Sequence, residues 1–311
     1  MPIPLHFKVA LSSPTLLRWS LGNGLLSNKR QHNALLFAAG AHSSSPSILK
    51  SVIRHLSRAH PDSSLEEFTI LPVIQGAAST DNLDVLMSHL PVFLHPHEAI
   101  EIFVGITLRT LIMVLDIYTQ ALYYSVDNAS INCYVRLLQM IRDEPLLRSD
   151  YNSFVRETVA RACRKGCIEI INLNLSIFDN IRKFPNQSRR DDEFISVCSK
   201  FAGSCGNLEV LVLLLPHLSL PHALSGALES RQLQSARWLI PRTPPHEIGA
   251  RHIVDALHCR DKAILDMVFG HYVHRIDWED FLTYASHHGL PPQSIADWAL
   301  SVGCPPQFLH Q

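Results

Sequence analysis

Eighteen histidines and seven cysteines give this 311-residue chain its largest stock of chemistry. His271 and His274 are three apart, on one face of a helix, and His258-Cys259 lies shortly before them. Zinc takes imidazole and thiolate ligands of this kind, usually in closely spaced pairs. Yet the chain has no Cys-x-x-Cys and no His-Glu-x-x-His, and Cys163 and Cys167 are four apart with no histidine pair beside them. A cysteine nucleophile needs an activating base held against it, and counts this high generate Cys–His pairs by chance. Glycine signatures for nucleotides (Gly-x-Gly-x-x-Gly, the Walker loop) and for hydrolases (Gly-x-Ser-x-Gly) are missing as well. The expectation is no catalytic residue, no metal and no cofactor.

The elements that would position these side chains read as helices. One pattern recurs as Ala202-Gly-Ser-Cys-Gly-Asn-Leu-Glu-Val-Leu-Val-Leu-Leu-Leu215, as Ala162-Cys-Arg-Lys-Gly-Cys-Ile-Glu-Ile-Ile-Asn-Leu-Asn-Leu175 and as Ala77-Ala-Ser-Thr-Asp-Asn-Leu-Asp-Val-Leu-Met-Ser-His-Leu90. Small residues come first, a turn follows four residues later, then an acidic residue opens an apolar run. Leu208, Leu211 and Leu215 fall at i, i+3 and i+7, and Ile168, Ile171 and Leu175 repeat that spacing. Gly166, Gly206 and Gly289 fall at the junctions, where a left-handed residue ends a helix without steric cost. Proline clusters such as Pro241, Pro244 and Pro245 separate one helix from the next. Sustained alternation with β-branched residues is scarce, so the expected class is all-α.

This pattern resembles the ankyrin repeat, whose core reads Ala-Ala-x-x-Gly-His-Leu-Glu-Val-Val-x-x-Leu-Leu. Taking the first Ala of each copy gives Ala38, Ala77, Ala121, Ala162, Ala202, Ala227, Ala256 and Ala285, at intervals of 39, 44, 41, 40, 25, 29 and 29 residues. A regular ankyrin array has a period of about 33. No copy carries the family's Thr-Pro-Leu-His opening or its Gly-Ala-Asp-Val-Asn hairpin. Asp297-Trp-Ala-Leu-Ser-Val-Gly-Cys-Pro305 is similar to the Trp-Leu-x-x-x-Gly-Cys-Pro ending of divergent arrays in protists and giant viruses. The resemblance implies an α-solenoid of about eight degenerate ankyrin-like helix-turn-helix repeats. The segments expected are an N-terminal cap or extension over 1–32, irregular long repeats over 33–182, and short repeats with a C-terminal cap over 194–311.

Composition agrees with a folded chain. Apolar content is 47% and charged content 18%, suited to helices packed on two sides. Net charge is −1, so nucleic acid and anionic membrane are not expected partners. Seven is an odd number of cysteines, and Cys133, Cys163, Cys198 and Cys259 sit among apolar residues as buried thiols do, which suggests a reducing compartment, the cytoplasm. The opening Met-Pro-Ile-Pro-Leu-His-Phe-Lys lacks the layout of a signal peptide. Glu101, Arg109 and Asp116 interrupt the apolar stretch Ile100 to Val126, which therefore reads as a buried helix pair rather than a membrane span. Ser43 to Ser47 and Lys183 to Glu193 read as loops.

In ankyrin repeats the two residues before each interhelical turn face the concave surface where partners bind. Carried over, they are Ser79-Thr80, Arg164-Lys165, Ser204-Cys205, Glu229-Ser230, His258-Cys259 and His287-His288, with Arg231, Arg260 and Asp261 adjoining. All six pairs are polar, which makes a wettable groove for a partner of mixed polarity, and the three histidines would make its C-terminal end sensitive to mild acid. The resemblance implies a non-enzymatic scaffold that recruits a protein, with an effector-type role inside a host cell, in its cytoplasm or nucleus. The alternative is an enzyme with its site in the irregular N-terminal half, since loops between repeats can carry function. Self-association through the C-terminal repeat is a further expectation, because Trp298 and Leu300 are two apart on a helix and cannot both face inward.

Overall fold

The computed structural model describes residues 11, 13, 15–17, 20, 32–43, 48–49, 51–52, 54, 65–89, 108–144, 147–183, 189–272, 278–287 and 292–302. Among these residues every regular element is helical, and the fold is all-α. The helices are α1 His32–His42, α2 Leu65–Ser79, α3 Leu83–His89, α4 Leu108–Asp127, α5 Ile131–Asp143, α6 Tyr151–Lys165, α7 Ile168–Leu173, α8 Leu175–Lys183, α9 Arg189–Ser204, α10 Leu208–Leu214, α11 Leu220–Glu229, α12 Leu233–Leu239, α13 Ala250–Cys259, α14 Lys262–Tyr272, α15 Trp278–His287 and α16 Pro292–Ser301.

Six tight turns join these helices in pairs: α2–α3, α4–α5, α6–α7, α9–α10, α11–α12 and α13–α14. Each turn holds one left-handed residue, in order Asp81, Ala129, Gly166, Gly206, Arg231 and Arg260, with φ between 53° and 76°. Four turns close the same way: Asn82 N donates to Ala77 O (2.9 Å), Ser130 N to Ser125 O (2.8 Å), Cys167 N to Ala162 O (3.0 Å) and Gln232 N to Ala227 O (2.8 Å). This bond spans five residues and satisfies a carbonyl that the helix end would otherwise leave orphaned. The residue four before each left-handed position is small and fully buried: Ala77, Ser125, Ala162, Ala202, Ala227 and Ala256. The register expected at Ala121 is therefore one helical turn early, because Ser125 fills the small position in that copy. Second helices start at once, and Asn207 Oδ1 and Asp261 Oδ1 accept the amides of Glu209 (3.0 Å) and Ile264 (3.0 Å) as N-caps.

The chain divides into two compact units, Met1–Thr158 and Val159–Gln311. In the first, α1 packs on α2, α2 on α4, and the second helices α3 and α5 meet. Two glycines set the closest crossing. A Cβ on Gly40 would stand 2.0 Å from Val73 O, and one on Gly76 2.0 Å from Phe37 O. Asp81 ties neighbouring pairs together, since its carboxylate accepts from Cys133 N (2.8 Å) and Asn132 Nδ2 (2.6 Å). The stretch expected as a helix pair from Ile100 to Val126 contains one unbroken helix over its described part, α4, which buries Ile117, Tyr118, Leu122 and Val126. No helix among the described residues is long and apolar enough to cross a membrane.

In the second unit α9 packs on α11, α11 on α13 and α13 on α15, while α7, α10, α12 and α14 form a second row. Gly203 and Gly226 make a reciprocal close crossing like that of Gly40 and Gly76, with added Cβ atoms 1.9 Å from Ala223 O and Lys200 O. The buried face of α10 is Val210, Leu211 and Leu214. Leu215 is 38% exposed, against expectation, because the helix tightens into a 3-10 turn at that residue. The predicted connector Lys183 to Glu193 is shorter than expected: Arg189 to Glu193 open α9, whose first turn carries Asp191 and Asp192 where the helix dipole favours them. Residues 184–188, and the Ser44 to Ser47 part of the other expected loop, lie outside the described residues. At the C-terminal end Trp298 packs on Phe269 and Phe281, each with ring centres 5.4 Å away, and Leu300 faces out at 51% exposure.

Candidate partner-binding face

The residues before each left-handed turn do two different jobs. Three hydroxyls are committed to backbone: Ser79 Oγ donates to Gly76 O (2.8 Å), Ser204 Oγ to Phe201 O (2.9 Å), and Thr80 Oγ1 to Ala41 O (2.9 Å) on α1. Two thiols are committed likewise, Cys205 Sγ to Ala202 O (3.1 Å) and Cys259 Sγ to Leu228 O (2.9 Å). Burial pushes the Cys259 thiol up to about 11, with the Asp255 charge adding to it, so it is neutral at pH 7. The longer polar members project outward. Arg164, Lys165, Glu229, Arg231, His258 and Arg260 are exposed, and the Arg164 guanidinium lies 5.7 Å from the centre of the Phe201 ring. His287 is exposed, and its Nδ1 donates to Thr283 O (2.7 Å). His288, Gly289 and His274 lie outside the described residues. Among the described residues no three His, Cys, Asp or Glu side chains gather as metal ligands would.

Around Glu229 the second unit builds a charged cluster from three first helices. Glu229 binds Lys200 Nζ of α9 (2.7 Å) and Arg251 Nη2 of α13 (2.9 Å). Burial works against its carboxylate, but those two hydrogen bonds outweigh burial and hold its carboxyl below the usual range. Asp255, one turn along α13, is the opposite case. Its side chain is 13% exposed and Oδ2 has no hydrogen-bond partner. Burial first, and the Glu229 charge second, push its carboxyl up to about 6. Arg251 Nε stands 3.8 Å from Oδ2, beyond hydrogen-bond reach, and so offsets only part of that cost. Asp261, besides capping α14, pairs with Arg237 Nη2 at 3.5 Å.

His252 anchors the same helix. Gly249 N donates to its Nδ1 (3.1 Å), so Nε2 carries the proton and donates to Pro221 O (3.0 Å) at the start of α11. Both nitrogens are used by the neutral ring, and burial lowers its pKa.

The sequence reading reached the turn-end residues and missed Lys200, Arg237, Arg251 and Asp255. Three of these have a signal in spacing: Lys200–Ser204, Arg251–Asp255 and Asp255–Cys259 are each four apart, one helical turn back on the same face. Comparison of the chain with family models, curated proteins and solved structures finds no match.

Proposed function

We propose that this chain is a non-enzymatic scaffold, an α-solenoid of degenerate ankyrin-like repeats that recruits a protein partner across the ends of its first helices. The observation that supports the reading is the shared register of six turns. Each places one buried small residue, two helix-end residues and one left-handed residue in the same order. Within each compact unit, repetition of that turn brings neighbouring helix ends together, and a row of polar groups is what a protein surface needs to be held in one orientation. The ankyrin resemblance adds an effector-type setting, the cytoplasm or nucleus of a host cell.

Affinity capture from a lysate of candidate host cells tests this, using the full chain beside the double variant Arg164→Glu/Lys165→Glu. The expected result is a retained protein that the variant loses by about tenfold or more, the effect of 1.4 kcal/mol. Capture that retains no protein, or that the charge reversal leaves unchanged, contradicts the reading.

A further inference from the structure

We infer that the edge formed by the α11–α12 and α13–α14 turns is a docking site for an acidic segment of a protein, gripped by Arg231 and Arg260. The inference rests on the scaffold reading above and supplies the chemistry of its partner. The two turns are bonded together: Cys259 Sγ donates to Leu228 O across the first helices, and Arg237 pairs with Asp261 across the second. Arg260 follows Cys259 directly, and Arg231 is three residues past Leu228, so the two arginines occupy equivalent places on neighbouring turns.

Both arginines are left-handed, with φ of 55° and 57°. Glycine takes that backbone without strain, and Gly166 and Gly206 take it in two earlier pairs. Local folding therefore favours glycine at positions where this chain twice places a long cation. Both side chains are exposed, and neither guanidinium makes an ion pair or hydrogen bond among the described residues. Two carboxylates of the same turns are already taken, Glu229 by Lys200 and Arg251, Asp261 by Arg237. Arg231, Arg237, Arg260 and Lys262 stand against Asp261 and Glu229, which leaves these groups two charges positive (four minus two) in a chain whose net charge is −1.

A guanidinium offers two parallel N–H donors to one carboxylate, so a free pair on adjacent turns matches two acidic side chains of one extended segment. A nucleic-acid backbone fits less well. Its affinity grows with the number of phosphates neutralised, and two free guanidiniums neutralise few of them.

The test is fluorescence anisotropy with the full chain and a short labelled peptide alternating glutamate and glycine. The same peptide with glutamine for glutamate, and a short DNA duplex, serve as the other probes. The key variant is Arg231→Gly/Arg260→Gly, which removes both cations while relieving the backbone. The acidic peptide is expected to bind, more weakly as salt is added, and to lose about tenfold or more in the double variant. The variant's melting temperature is expected to be unchanged or higher, so the loss cannot come from unfolding. Equal binding by variant and wild type, equal binding of the glutamine peptide, or tighter binding of DNA overturns the inference. If lysate capture succeeds while the acidic peptide fails, the acidic-partner inference falls and the scaffold reading stands. If the peptide binds as described and capture fails, the reverse holds.

Discussion

Asp255 carries a pH signature close to neutrality. Its carboxyl is pushed from 3.8 up to about 6 in the folded chain. A folded-state pKa above the unfolded one means that the group favours folding below pH 4 and that this contribution is lost as pH rises through about 6. At pH 8 the ionised, poorly paired carboxylate is therefore a liability. The shift, which already includes the opposing Arg251 charge, sets a ceiling of ~3 kcal/mol, and partial solvent access at the site brings the expected effect down. Asp255→Asn should stabilise the chain by about 1 kcal/mol at pH 8, with the gain shrinking toward zero at pH 4. Urea melts at the two pH values decide this, and a variant less stable at pH 8 contradicts the assigned electrostatics. At this scale the sequence passed over Asp127 and Asn128 beside the Ala129 turn and marked the residues beside the other five of the six turns, counted from a small residue. It did not show what they touch. Ser204 looks like a groove residue by position, but its hydroxyl turns back to Phe201 O, a choice made by rotamer rather than by spacing. Glu229 likewise owes its role to Lys200 and Arg251, which come from other helices 29 and 22 residues away.

Glycine governs how closely the helices approach. Gly226 sits where α11 meets α9, and a methyl group there would stand 1.9 Å from Lys200 O. A backbone atom cannot move aside as a side chain can, so Gly226→Ala should cost more than about 2 kcal/mol. Gly270 on α14 is exposed, and an added Cβ there meets nothing within 4 Å. Gly270→Ala should stabilise the chain by about 0.5–1 kcal/mol, the difference in helix propensity. Thermal or chemical melts of the two variants should move in opposite directions, and a shared direction would show that the α9–α11 crossing is misplaced. Helix type was legible from apolar spacing, helped at two turns by Gly166 and Gly206; the other four left-handed positions, Asp81, Ala129, Arg231 and Arg260, carry no glycine. Register was legible only where the small residue is alanine: the α4–α5 pair uses Ser125, and its neighbour Ala121 imitates the pattern one turn too early. The reciprocal pairs Gly40–Gly76 and Gly203–Gly226 left no local mark, since a glycine in a helix does not announce which helix it faces.

Across the whole molecule the charge count is almost balanced, with 27 basic and 28 acidic side chains, so what matters is where the charges lie. The second unit gathers an excess of positive charge at the α11–α12 and α13–α14 turns, and its helix ends from Arg164 to Arg260 share one register over four turns, at Gly166, Gly206, Arg231 and Arg260. A partner held by that row should cover it and leave the outward sides of the second helices open. Hydrogen exchange of the full chain, alone and in complex with the protein it captures, tests this most directly. The account predicts slowed exchange at 164–167, 204–207, 229–232 and 258–261, with α10 and α12 unchanged. Protection confined to α10 and α12, or spread evenly over the chain, would contradict it.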